Sequence, residues 1–174
     1  MRNCMVDLET LGTNSDAVVV SIGAVMFGPE GVSENGFYAV LDRTEQIRLG
    51  RKINSSTVDW WMQQSVEARA VFKVPTEPVG KVLTIFSEFV GNDPFTWGNG
   101  ADFDCTILGS LYSSFNLQKP WSYSKNRCFR TLKNTVQPTK NLPRRKGTHH
   151  NALHDAIHQA KHAVILMQGK LKWE

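Results

Sequence analysis

Residues 4–31 read CMVDLETLGTNSDAVVVSIGAVMFGPEG, and this stretch decides the fold. Cys4 to Leu8 is a short apolar segment that reads as a strand. Ala17 to Phe27 is β-branched and apolar, and reads as a long second strand. Gly28-Pro29-Glu30-Gly31 ends it as a turn. Gly36 to Leu41 reads as a third strand and completes a meander. Strand alternation puts Asp7 and Glu9, at the end of the first strand, on one face. Two carboxylates side by side repel unless a cation lies between them, and hard divalent ions take such oxygens.

Beyond the meander the period changes to that of helices. Ser55 to Ala70 reads as a helix with Ser55 or Ser56 as N-cap. Val79 to Val90 is apolar at Val79, Val82, Leu83, Phe86 and Val90, which is helical spacing. Phe95 to Gly98 reads as a short buried strand, and Phe103 to Phe115 as a helix. Gln137 to Gly147, with two prolines and four basic residues, reads as a mobile loop. Asn151 to Gln168 is a helix with Leu153, Ala156, Ile157, Ala160, Val164 and Met167 on one stripe. Strands first and then helices alternating with strands predict an α/β domain, a mixed sheet flanked by helices.

Composition agrees. The 174 residues, 41% hydrophobic and 21% charged, suit a single domain (1–174) with an ordinary core and exclude global disorder. Cys4, Cys105 and Cys128 form no CxxC pair, which argues against a disulfide framework and suits a reducing cytosol. No targeting segment is expected, and the longest apolar stretch is far short of the ~20 residues of a membrane helix, so no membrane partner is expected.

Charge is unevenly placed. From Cys105 to His154 there is no acid, and nine basic residues stand there: Lys119, Lys125, Arg127, Arg130, Lys133, Lys140, Arg144, Arg145 and Lys146. The rest of the chain is net acidic. Phe115, Trp121, Tyr123 and Phe129 are interleaved with the basic block, as a nucleic-acid surface requires for base stacking.

Two further clusters carry chemistry. In Trp97-Gly-Asn-Gly-Ala-Asp-Phe-Asp104 a short strand runs through glycines into a helix. Asp104 sits in the first helical turn, where the helix dipole also favours an acid, and Asp102 is its neighbour and competitor. In His150-Asn-Ala-Leu-His-Asp155 an acid in the first turns of the last helix follows a loop histidine. Asp155 points away from the predicted apolar stripe. By composition about 0.4 Asp-x-Glu triplets arise by chance, so no cluster decides alone. Together they supply four acids and a histidine, each at a strand end or helix start.

The set Asp7-x-Glu9, Asp104 and His150-x₄-Asp155 resembles the DEDDh branch of the 3′→5′ exonucleases, which have a ribonuclease H-like fold. The match runs from Val6 to about Ala160. The strings DLETLGT, WGNGADFD and HNALHDA look like the small bacterial and phage exonucleases near ribonuclease T and RNase AS. Trp60-Trp61 with Gln63-Gln64, and RCFRTL at 127–132, look like the same subgroup.

The resemblance implies two divalent ions, Mg²⁺ or Mn²⁺, held by Asp7, Glu9, Asp104 and Asp155. It makes His150 the general base, and a histidine titrates near working pH. The implied reaction removes 5′-nucleotides from the 3′ end of nucleic acid. Thr10 and Leu11 match positions that bind the terminal nucleotide, with Leu11 wedged against the last base. Phe103 and Trp61 are stacking candidates, and Asn99 and Arg130 are candidate substrate contacts. Single-stranded DNA is the expected substrate. RNA, as for ribonuclease T and RNase AS, is the alternative, and a non-catalytic nucleic-acid-binding module is a third reading. Phage and bacterial relatives imply a cytoplasmic location, and ribonuclease T-like relatives leave a homodimer open. His150, His154, His158 and His162 recur every four residues; the last three lie off the apolar stripe and read as a solvated face rather than a zinc site.

Overall fold

The structure is a computed structural model and describes residues 3–171. The terminal positions of the expected domain, 1–2 and 172–174, lie outside the described residues. Strands β1 (Asn3–Thr10), β2 (Val19–Gly28) and β3 (Gly31–Val40) form the antiparallel meander. Strands β4 (Phe95–Gly98) and β5 (Asn126–Cys128) extend the sheet in parallel beyond β1. The strand order is β3-β2-β1-β4-β5, so β1 is central. This is the mixed, helix-flanked sheet of the ribonuclease H-like fold.

Strand alternation sorts the core into two layers. Cys4, Val6 and Leu8 of β1 point to one face, with Ile22 and Ala24 of β2. There they pack against helices α4 (Val79–Val90) and α5 (Asp104–Ser114), numbered after three earlier short helices, α1 (Arg43–Arg48), α2 (Ser55–Met62) and α3 (Val66–Arg69). Met5, Val25 and Phe27 point to the other face, under α6 (Phe129–Thr135) and α7 (Ala152–Leu166). Asp7 and Glu9 share this second face with Met5. They lie beneath the N-terminal half of the last helix.

Small residues bring α7 close. Ala152, Ala156, Ala160 and Ala163 are fully buried along it. A Cβ on Gly23 would lie 2.1 Å from the backbone of Ala152, and one on Gly36 would lie 2.6 Å from Leu153. Gly23 is also the register partner of Asp7. The helix start therefore rests directly above the first acid.

Several elements differ from the expected ones. Strands β1 and β3 are longer, so Asp7 and Glu9 lie inside β1, with the ladder shifting register just after Glu9. The helix expected over 55–70 is two. Asn54, not Ser55 or Ser56, caps α2, and Ser65 accepts from the Ala68 N–H to start α3. A 3-10 turn, Ala70–Lys73, follows. Helices α1 and α6 and strand β5 were not expected. The buried stripe of α7 is rotated from the predicted one. It includes Asp155 and Gln159, while Met167 is exposed, because the buried alanines at 152, 156, 160 and 163 let this face of the helix sit down on the sheet.

The segment expected to be a mobile loop is tied down. Its first residue, Gln137, belongs to β6 (Val136–Gln137), which pairs with β7 (Lys170–Leu171). Further on, His162 bonds the Pro143 carbonyl at 3.0 Å, and the Thr148 N–H donates to His154 Nδ1 at 3.0 Å. Residues 143–150 thus form a strap along the polar face of α7. That strap is why His154, His158 and His162 are half-buried rather than solvated.

Candidate active site

The site lies at the end of β1, in a cleft of about 770 Å³ between α2, α5, α6 and α7. Each acid arrives on its own element. Strand β1 supplies Asp7 and Glu9, and the first turns of α5 and α7 supply Asp104 and Asp155. Ligand oxygens of Asp7, Glu9 and Asp155 all lie within 4.8 Å of one another. Asp104 Oδ1 accepts from the Leu8 N–H at 3.1 Å, which pins it against β1. Gln159, one turn past Asp155, donates to Asp7 Oδ1 at 2.7 Å. Gly98 makes room, since a Cβ there would lie 2.7 Å from Asp104 Oδ2. Asp102 is exposed and takes no part in the cluster.

Burial and mutual repulsion show in the acidities. Burial, then Asp155 and Asp104, push Glu9 up to about 8. Burial pushes Asp104 up to about 7 against its hydrogen bonds from Leu8 and Asn99. Asp7 is raised well above the usual carboxylate range by burial and by its acidic neighbours. Buried acids crowded this way are stabilised by a cation among them. The donor set is all oxygen, as hard divalent ions prefer, and the buried Gln159 Oε1 has no hydrogen-bond partner. The residues fit a divalent metal.

Asp155 is held by the strap. Arg145 of the strap forms an ion pair with its Oδ1, and the His150 backbone N–H donates to Oδ2 at 2.9 Å. His150 has a φ of 60°. Its ring meets the Trp60 ring edge-on, with centroids 4.9 Å apart. Partial burial, and the neighbouring His149, lower its pKa below the ordinary histidine value.

Thr10, Asn99, Phe103 and Arg130 line the cleft as the sequence suggested. Leu11 and Trp61 lie instead in the core behind it, with Val18, Val20 and Val40. Trp61 is 2% exposed and its indole N–H donates to the Thr10 carbonyl at 2.9 Å. Trp60, 40% exposed, is the indole on the cleft wall. Sequence reasoning missed Trp60, Lys133, Arg145 and Gln159. Gln159 was findable, four residues after Asp155 and hence on the same helical face. The two cations stood in the basic window without anything to single them out.

A mixed sheet that gathers acids from its central strand and from the starts of two helices is the arrangement the sequence resemblance implied, and the class it belongs to is that of the 3′→5′ exonucleases. Residues 2–167 match the 3'-5' exoribonuclease Rv2179c-like domain, and the chain belongs to that family. It is similar to the exodeoxyribonuclease of Enterobacteria phage T4, 24% identical across 99% of this chain and 90% of that protein. Among solved structures it resembles the nuclease domain of 3'hExo, a DEDDh family member bound to rAMP. The TM-score is 0.62 at 13% identity, over 98% of this chain and 96% of that one. It also resembles cell-death related nuclease 4, with a TM-score of 0.60 at 16% identity. E. coli Exonuclease I with a dT13 oligonucleotide gives 0.61 at 15% identity. The chain covers 98% and 96% of itself in these matches, but spans only 65% of the first of these two proteins and 40% of the second.

Proposed function

We propose that the chain acts as one exonuclease domain that removes 5′-nucleotides, one at a time, from the 3′ end of single-stranded DNA. The observation that carries this reading is the convergence of Asp7, Glu9 and Asp155 within 4.8 Å, with Asp104 beside them and His150 on the rim. The four acids would hold two divalent ions, Mg²⁺ or Mn²⁺. Such ions, when bound, lower the pKa of water and stabilise the leaving 3′-oxygen.

The remaining work falls to the chain's own groups. His150 takes the proton of the attacking water; its lowered pKa keeps the ring neutral and able to accept it. The water oxygen bonds to phosphorus as the bond to the 3′-oxygen breaks, so the phosphate leaves with the released nucleotide. Arg130, Lys133 and Arg145 on the cleft wall neutralise phosphates. Phe103 and Trp60 offer faces for the terminal bases. Thr10 and Asn99 contact the last nucleotide, and Leu11 and Trp61 back that wall from the core.

The T4 exodeoxyribonuclease, similar over nearly the whole chain, favours DNA. The family description favours RNA, and an exoribonuclease is the second reading. Matched single-stranded DNA and RNA, labelled at the 5′ end and incubated with Mg²⁺ or Mn²⁺, separate the two. A ladder shrinking from the 3′ end, faster on DNA and abolished by EDTA or Asp7→Ala, is the expected result. A faster RNA ladder selects the second reading, and binding without shortening overturns both.

A further inference from the structure

The strap brings a second set of metal donors against the acid cluster, of different chemistry. One ligand atom each from His149, His150 and Asp155 lies within 4.8 Å of the others. Consecutive side chains of an extended strand point to opposite faces and do not converge. Here the left-handed backbone at His150, φ 60°, turns the two rings to the same side, with centroids 5.0 Å apart. Zinc bond lengths of about 2.0–2.1 Å separate tetrahedral donors by about 3.4 Å, so small side-chain rotations close this set. Two imidazoles and one carboxylate suit Zn²⁺, whereas the all-oxygen cluster suits Mg²⁺ or Mn²⁺.

We propose that His149, His150 and Asp155 form an inhibitory zinc site beside the catalytic carboxylates. A bound Zn²⁺ takes the ring nitrogen with which His150 would accept the water's proton. It also draws on Asp155, where it competes with Arg145 for the carboxylate. A water completes the tetrahedron. The inhibitory half of the proposal rests on the reading of His150 as base; the binding half does not.

Calorimetric titration of Zn²⁺ into the whole protein, with excess Mg²⁺ present, tests it alongside hydrolysis of a labelled oligonucleotide. His149 is exposed, so His149→Ala is expected to fold, and the inhibition of each variant is read against its own zinc-free hydrolysis. His158→Ala is the control, because His158 and His162, ring centroids 4.2 Å apart, are the competing zinc pair. The wild type and His158→Ala are expected to bind one Zn²⁺ per chain and to lose hydrolysis as it binds. His149→Ala is expected to weaken zinc binding about tenfold or more and to escape inhibition in step. Unchanged zinc affinity in His149→Ala, or its loss in His158→Ala alone, overturns the site. Zinc bound through His149 with hydrolysis unaffected keeps the site and overturns His150 as the base.

Discussion

At the scale of single residues, His150 and the four acids make separable predictions. Removing a positioned general base costs about 10²–10⁴ in rate. His150→Ala should therefore lower kcat by that factor while leaving KM within a few fold, as steady-state hydrolysis would reveal. The acids should also be visible in stability. Glu9 and Asp104 bind protons more tightly folded than unfolded, up to about 8 and about 7 against ordinary values of 4.5 and 3.8. Where the folded chain holds more protons, stability falls as pH rises. The metal-free protein should thus lose melting temperature between about pH 4.5 and 8, and excess Mn²⁺ should flatten that slope. A flat metal-free profile would show that the acids are not forced together. The four acids and His150 were singled out through the family resemblance of three short motifs, since no one motif is rare enough by its spacing to decide alone; the structure brings Asp7, Glu9 and Asp155 together. Trp60 and Trp61 were not separable, since adjacent indoles on a short helix carry no periodicity to say which is buried.

At the scale of elements, α2 supplies a wall of the cleft, and β4 ends in the glycine that makes room for Asp104. Trp60→Ala should raise KM for single strands, since a base–aromatic stack is worth about 1–3 kcal/mol, with the melting temperature little changed. Trp61→Ala should do the reverse: truncating a buried Trp costs about 3–5 kcal/mol, a large part of a typical domain's stability. Gly98→Ala should leave the fold's circular dichroism in place yet abolish hydrolysis, because the new methyl group occupies the space of Asp104. Helix α4 and strand β4 matched their sequence-predicted bounds, being clean in period or bracketed by turn residues. The break between α2 and α3 was hidden by Gln63-Gln64, which suit a helix, and Ser65 decided it by capping. Helix α1 has a start signal of its own in Asp42, which accepts from the N–H groups of Thr44 and Glu45.

At the scale of the molecule, charge is segregated by depth. Acids form the floor of the cleft, and Arg130, Lys133 and Arg145 stand around it. Counterion release from a single strand contributes a slope of about −0.7 per neutralised phosphate in a plot of log affinity against log salt. Arg130→Ala should make that slope about 0.7 shallower and weaken binding alike on every sequence, measured by fluorescence anisotropy with EDTA present. The basic window was readable as an anionic-partner signal; which of its nine cations face the cleft depended on α6 and the strap, neither of which the sequence announced. The bond from Gln159 to Asp7 spans 152 positions of the chain. A ribosome therefore finishes β1 long before the partners of its acids exist, and Asp104 alone joins them midway. Until α7 emerges and settles on Gly23, the nascent polypeptide carries three of the four acids without the fourth, and the cluster closes only when nearly the whole described chain has been synthesised and folded.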